Sequence, residues 1–400
     1  MSENKKIKLL FRHRSMEMGG VEKVMLSLLN NLDREKFDMT VLLNLNQGEL
    51  RNEIPAHVRK VYLTDGKEDM SKNRILQKVQ LLQRKRKLEK LAKNPETIDR
   101  DILKVSYDVE IAMTYNDFEP VLVSANKTSK KIGWFHSEIH VPKLQPLVPK
   151  ILEHFPKFDY MVYCSQRIKD LMHRHWPDLK YPPESVIINA IPIDEIKEKS
   201  QQPISDKWPV NFSHPVFISV GRLHTRKGYH KLMEAHAKLL KDGFLHSVII
   251  LGDGEELPNL LLQQKKLGVE STFFFVGNKM NPYPYIKQAD FFIMPSESEA
   301  WPLVLAEALI LQKPAIATDT GDVATMMEDR KTGYLISYDT YDMYTAMKEF
   351  LTDDELAAGI RKNLEHIEEK FDNRWIFAEV EEILLNLVKN NDDFSLQNYP

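Results

Sequence analysis

Short apolar runs alternate with amphipathic stretches along this chain. Ile7–Phe11 predicts a strand. Val21, Val24, Met25, Leu28 and Leu29 follow at i, i+3, i+4, i+7 and i+8, which lines one face of a helix. Met39–Leu45 and Val58–Leu63 predict two further strands. Val109–Met113, Lys131–Phe135 and Tyr160–Tyr163 continue the series, with helical patterns between them. Several of these runs are continuously apolar, as strands covered on both faces should be. Alternation of strand and helix predicts parallel sheets with helices on either side.

The pattern pauses over residues 191–212, which hold three prolines and little periodicity and are expected to form a linker. A second series starts at Val216–Val220. It continues through Val248–Leu251, Phe273–Val276, Phe291–Met294, Ala315–Thr318 and Tyr334–Ile336. The expected organisation is an α/β fold with a first domain over 1–190, the linker, and a second domain over 213–370. Residues 371–400 form a tail. Trp375 to Val388 carry apolar residues at helical spacing, so this tail is expected to be a helix returning to the first domain.

Composition narrows the function classes. At 42% apolar and 28% charged, the 400 residues are those of an ordinary globular protein. A net charge of −3 argues against a globally basic nucleic-acid binder, and no nucleic-acid partner is expected. The single cysteine, Cys164, excludes an internal disulfide and any multi-cysteine metal site. No apolar run approaches the ~18 residues of a membrane span, and the first residues carry no signal-peptide core. A cytoplasmic location is expected. One stretch departs from the average: residues 72–93 hold nine Lys or Arg and a single acid, Glu89, with Ile75, Val79 and Leu82 on one stripe. Such a segment is either a solvated helix covering the first domain or a surface that lies peripherally on anionic membrane.

Candidate chemistry gathers at strand ends. Phe291–Met294 runs into Ser296-Glu297-Ser298-Glu299-Ala300-Trp301-Pro302, and a helix is expected from about 302 to 312 with Pro302 at its first position. Ser296, Ser298 and Glu299 can supply capping oxygens. A helix start facing the carboxyl end of a parallel sheet suits a phosphate. Glu299 and Glu307 lie eight positions apart, roughly 12 Å if both were helical. That spans a sugar–diphosphate–ribose unit; an acidic cap plus an ordinary helical glutamate is the alternative. Gly221-Arg222-Leu223-His224-Thr225-Arg226-Lys227-Gly228 follows the first strand of the second half. Arg222 and Lys227 suit a diphosphate, or form a solvated basic loop.

Other positions carry weaker signals. Gly19 and Gly20 let backbone approach a ligand. His136 ends a strand, and Gly252 and Gly254 either line a donor crevice or simply turn the chain. Asp99 and Asp101 flank Arg100 in a spacing that metal-dependent sugar transferases use, but they follow a charged helical segment. His140, His154, His224 and His230 show no metal-ligand spacing.

In order, Gly19-Gly20-Val21-Glu22-Lys23, Trp134-Phe135-His136, Gly221-Arg222-Leu223 with Lys227-Gly228, Gly252-Asp253-Gly254 and Pro295-Ser296 with Glu299 and Glu307 resemble the family-4 retaining glycosyltransferases of GT-B fold. The resemblance covers nearly the whole chain. It implies two Rossmann-like, doubly wound domains facing across a crevice. Gly20, with Gly19 beside it, would face the diphosphate or acceptor, and His136 the transferred sugar. Arg222 and Lys227 would hold the diphosphate. Glu299 would bind sugar hydroxyls and Glu307 the ribose, and the backbone N–H groups of Trp301, Leu303 and Val304, on either side of Pro302, a phosphate. Catalytic roles would fall to His136, Arg222, Lys227 and Glu299. Ala300 and Pro302 stand where the family usually has glycine, and Ala190 follows Asn189 where Asn-Gly is usual.

The implied activity is metal-independent, retaining transfer of a hexosyl unit from a nucleotide diphosphate sugar to a saccharide or lipid-linked saccharide in surface polysaccharide assembly. UDP is the expected nucleotide, and no cofactor is expected because the nucleotide sugar is a substrate. A GT-B epimerase and a non-catalytic scaffold are the competing readings.

Overall fold

A computed structural model of the chain describes residues 6–139, 142–204, 209, 213–371 and 374–389. The chain divides into two compact units. The first runs to Ile188 and takes in the chain from Arg374 on; the second is Asn189–Asn373.

In the first unit, seven strands form one parallel sheet: β1 (Ile7–His13), β2 (Phe37–Asn46), β3 (Arg59–Asp65), β4 (Val109–Ala112), β5 (Lys130–Phe135), β6 (Tyr160–Tyr163) and β7 (Glu184–Val186). Their order is β3-β2-β1-β4-β5-β6-β7, so the winding direction reverses between β1 and β4. The central strands are buried on both sides, which is why they read as unbroken apolar runs: Leu9, Leu10 and Phe11 of β1, and Val109, Ile111 and Ala112 of β4. β7 escaped the sequence reading because it is a three-residue edge strand with a half-buried, mixed Glu184-Ser185-Val186 pattern. The helix Gly20–Asn31 buries Val24, Met25, Leu28 and Leu29.

The tail forms the helix Arg374–Lys389, and it belongs to the first unit. Ile376, Val380, Leu384 and Leu387 are buried. Glu381 accepts the Asp33 amide at 2.8 Å and the Lys36 ammonium at 2.7 Å.

The basic stretch is one helix, Arg74–Lys93, begun by Asn73, whose side chain accepts the Ile75 and Leu76 amides. Its two ends differ. Leu88 and Leu91 pack on a core of Leu10, Leu42, Leu63, Ile98, Leu103 and Tyr107. Ile75, Leu76, Val79 and Leu82 are exposed, Ile75 to 76%. The expected apolar stripe exists, but in the first half of the helix it does not cover the domain.

The second unit has six parallel strands: β8 (Val216–Val220), β9 (Ser247–Leu251), β10 (Phe273–Phe275), β11 (Phe291–Met294), β12 (Ala315–Thr318) and β13 (Tyr334–Ile336). The order is β10-β9-β8-β11-β12-β13, with the reversal between β8 and β11. Within the expected linker 191–212, Ile193–Lys199 form a helix of the second unit with Ile196 buried. Residues 205–208 and 210–212 lie outside the described residues, as do His140 and the first five residues.

Candidate active site

Ligands of open parallel sheets sit beyond the carboxyl ends of the strands where the order reverses. In the second unit those strands are β8 and β11, paired through Phe217 with Phe291 and Ile218 with Phe292. Their following loops carry the basic and acidic motifs. The loops touch backbone to backbone. Gly228 has φ +70°, and a Cβ there would lie 1.9 Å from the Pro295 carbonyl oxygen, so glycine alone fits. The Glu297 amide donates to the Arg226 carbonyl at 2.7 Å.

This contact brings Lys227 onto Glu299. Lys227 Nζ donates to Glu299 Oε1 at 2.6 Å, and Ser296 Oγ donates to the same oxygen at 2.7 Å. The two charged side chains are only 15% and 11% exposed. Burial pushes the Glu299 carboxyl up, but the Lys227 and Arg226 charges and the two hydrogen bonds outweigh it, so it lies below its ordinary range. Arg222 behaves differently. Its side chain is 69% exposed, with Nε 3.9 Å from Glu255. The two cations expected to act as a pair share a loop, but only Lys227 is built into the floor of the site.

The loop carrying Glu299 is held from β12. Gly321 has φ +57°, and a Cβ there would lie 2.3 Å from the Glu299 carbonyl oxygen and 2.4 Å from that of Ala300. The Asp322 amide donates to the Ala300 carbonyl at 2.9 Å. Asn189 Nδ2 donates to the Trp301 carbonyl at 3.3 Å. The helix that follows is Leu303–Ile310, shorter than expected. Pro302 is its cap residue rather than its first helical residue, and no side chain caps it. Ser296, expected to supply a capping oxygen, lies six positions before Pro302 and donates its hydroxyl to Glu299. Glu299 precedes the helix, so helical rise does not set its distance from Glu307. Glu307 is buried in the helix and accepts a hydrogen bond from the Tyr283 hydroxyl at 3.3 Å. Leu303, with Leu305 and Ala306, is buried, while Val304 is partly exposed.

Gly252 serves the turn. Its amide donates to the Gly277 carbonyl at 3.0 Å, and a Cβ would lie 2.0 Å from the Gly221 carbonyl oxygen. Asp99 and Asp101 are taken by the fold. Asp99 Oδ2 accepts the Ala125 amide at 2.8 Å, and Asp101 pairs with Arg100. Among the described residues no three His, Cys, Asp or Glu side chains group as metal ligands.

In the first unit, Gly19 precedes the helix Gly20–Asn31 as its cap residue, in extended backbone. His136 follows β5, and its ring lies parallel to that of Trp134 with centroids 6.4 Å apart. Its Nε2 is buried without a hydrogen-bond partner. Burial lowers its pKa to about 3, with the His13 charge adding to the effect, so the ring is neutral at pH 7. The sequence reading missed a charged cluster at the end of β1, formed by His13, Glu22 and Asp117. One signal was available. Thr114 and Asp117 have the spacing of a capping box, and they form one.

Comparison with known proteins follows the same division. Residues 200–366 match the family described as Glycosyl transferases group 1. A Campylobacter jejuni N-acetylgalactosamine-N,N'-diacetylbacillosaminyl-diphospho-undecaprenol 4-alpha-N-acetylgalactosaminyltransferase is 27% identical over 369 residues, covering 90% of this chain and 94% of the relative. An uncharacterized glycosyltransferase of Methanocaldococcus jannaschii is 26% identical over 280 residues, 63% of this chain and 69% of the relative. The crystal structure of Anabaena HepE in complex with UDP and glucose superposes with a TM-score of 0.73 at 19% identity, covering 95% of this chain and 99% of that one. The chain therefore has the GT-B fold of glycosyltransferases, with the Glycosyl transferases group 1 match lying over residues 200–366 of its second unit.

Proposed function

We propose that this chain is a retaining, metal-independent glycosyltransferase that moves a hexosyl unit from a UDP-sugar to a saccharide or lipid-linked saccharide acceptor in surface polysaccharide assembly. One observation carries the reading. The Lys227–Glu299 pair lies at the order reversal of the second sheet, beside a helix start that no side chain caps. The Campylobacter relative, whose name gives a diphospho-undecaprenol-linked saccharide as its acceptor, supports the acceptor class.

The second unit binds the donor. An ammonium carries three N–H donors, and Glu299 takes one, so Lys227 directs the others at diphosphate oxygens. Arg222, long and exposed, swings from Glu255 to fork onto the same oxygens. The amides of Leu303 and Val304 and the partial positive charge of the helix start add to this. Glu299, fixed in its charged form, accepts sugar hydroxyls through its second oxygen, and Glu307 receives the ribose. When the bond from the anomeric carbon to phosphate breaks, negative charge grows on the diphosphate where these groups already point. Removing one fixed donor of this kind costs about 3–4 kcal/mol of barrier. Retention follows if the leaving phosphate oxygen takes the acceptor proton on the same face. In the first unit, the Gly19–Gly20 turn would bind the acceptor, and the neutral His136 would be a sugar contact of that unit.

The helix Arg74–Lys93 is the proposed contact with anionic lipid. Its exposed half presents Ile75, Leu76, Val79 and Leu82 beside the exposed Arg74 and Lys78. That contact would place the enzyme on the inner face of the membrane, where a lipid-linked acceptor resides.

Incubation with radiolabelled UDP-glucose, UDP-galactose and their N-acetylated counterparts, with and without lipid-linked saccharide, tests the reading. Transfer or hydrolysis that releases UDP is expected. Interconversion of UDP-sugars with no release of UDP would instead mark an epimerase.

A further inference from the structure

The charged cluster at the end of β1 is not used by the donor site. His13 lies buried between two carboxylates, with Nδ1 3.1 Å from Asp117 Oδ2 and Nε2 3.3 Å from Glu22 Oε1. Asp117 Oδ2 also accepts the Thr114 amide at 3.1 Å and the Thr114 hydroxyl at 2.8 Å. A carboxylate only accepts, so Nδ1 of His13 is a donor. Burial works against a charge on this ring, but the hydrogen bonds and charges of Asp117 and Glu22 prevail and raise its pKa to about 10. At neutral pH both ring nitrogens therefore donate. Arg12, which donates to the Pro120 carbonyl and feels the Asp117 charge, and His136, which feels the His13 charge, are ionisable neighbours of this cluster.

Glu22 sits in the first turn of the helix Gly20–Asn31 and folds back over the glycine turn. Its Oε2 lies 2.4 Å from where a Gly19 Cβ would be, and the side chain keeps 14% exposure. One oxygen is thus tied to a cation and the other lies over Gly19, at the carboxyl end of the strand where the first sheet reverses its order. His136, at the end of β5, brings a buried Nε2 without a partner. A buried cation between two anions is an expensive way to tie a strand to two helices, since apolar contacts would do so without desolvation.

We propose that Glu22 accepts a hydrogen bond from the attacking hydroxyl and orients it, and that His13 and Asp117 are positioning residues that hold the Glu22 carboxylate over the glycine turn. The inference rests on the transferase reading. In the step, the hydroxyl oxygen bonds to the anomeric carbon. The bond from that carbon to the phosphate oxygen breaks, its electron pair staying on the diphosphate, and the hydroxyl proton leaves its hydrogen bond with Glu22 and passes to that oxygen. Glu22 keeps its charge throughout.

Water can serve as the attacking hydroxyl, so UDP-sugar hydrolysis reads the role without a known acceptor. Glu22→Gln is expected to lower hydrolysis on the order of 100-fold while UDP affinity stays near that of the unaltered chain; loss of one of the two carboxylates beside the buried His13 charge lowers Tm but leaves the protein folded. Asp117→Asn removes one of the two carboxylates that hold the His13 proton. Its hydrolysis rate is expected to fall as pH rises from 7 to 9, where the unaltered chain stays level. Unchanged hydrolysis in Glu22→Gln, or loss of UDP binding together with the rate, would overturn the inference while leaving the donor site standing. A level pH profile in folded Asp117→Asn would overturn the positioning role. Absence of hydrolysis or transfer with any UDP-sugar in the unaltered chain would overturn the transferase reading and this inference with it.

Discussion

Lys227 Nζ and Glu299 Oε1 are 2.6 Å apart although 72 positions separate them in the chain. The contact joins the loop after β8 to the loop after β11, so one ion pair fixes both halves of the proposed diphosphate cradle. Removing one member of a buried pair leaves the other charge uncompensated, which costs about 3–5 kcal/mol when burial is complete. Residual exposure here should reduce that figure. Lys227→Met is expected to destabilise the chain in urea unfolding. The double variant Lys227→Met with Glu299→Gln should regain much of that stability. Neither variant should regain UDP-sugar turnover. Recovery of both together would show the pair to be structural only.

Arg222 should separate binding from folding in the opposite sense. Its side chain is exposed, with Nε 3.9 Å from Glu255, so Arg222→Ala is expected to change stability by no more than about 0.5 kcal/mol. UDP affinity should nevertheless fall several-fold, measured by calorimetry. Unaltered affinity would remove Arg222 from the cradle.

Two buried histidines give the second unit an acid limit. His236 Nδ1 is 2.8 Å from His246 Nε2, and His236 Nε2 is 2.9 Å from Thr272 Oγ1. Burial holds both rings neutral, lowering His236 to about 2 and His246 to about 4. The unfolded chain takes up these protons near pH 6.5 and the folded chain does not. Their stabilisation is therefore fully present above pH 6.5 and is lost as pH falls toward the depressed values. The slope is up to about 1.4 kcal/mol per pH unit for each ring. Urea unfolding between pH 7 and 4.5 should show this fall, and His236→Leu with His246→Leu should flatten it. An equally steep fall in the double variant would place the acid sensitivity elsewhere.

The helix Arg74–Lys93 is expected to bind vesicles containing phosphatidylglycerol and to ignore purely zwitterionic ones, with binding weakened by salt. Replacing Arg84, Lys85, Arg86 and Lys87 by Gln, or Ile75, Val79 and Leu82 by Ser, should release the protein in co-sedimentation. Equal binding by both variants would make the helix a solvated one.

Much of the fold was legible in the residues because strands covered on both faces must be apolar throughout. Tyr160–Tyr163, Val216–Val220, Phe291–Met294 and Ala315–Thr318 occur with the expected limits. β7 was not legible, since a short edge strand has no such requirement. The chemistry was legible as residue types but not as partnerships. Lys227 and Glu299 stood out, yet they were expected to serve different parts of a ligand, and tertiary contact through Gly228 and Pro295 makes them partners. His13 carried no local signal because its carboxylates lie 9 and 104 positions away.

Titration of the purified chain with UDP, with chelator present, tests the central claim most directly. Binding that survives the chelator and weakens at least about tenfold in Lys227→Ala is expected, a difference of about 1.4 kcal/mol. Failure to bind UDP, or affinity in Lys227→Ala equal to that of the unaltered chain, would contradict a diphosphate cradle built from these two loops.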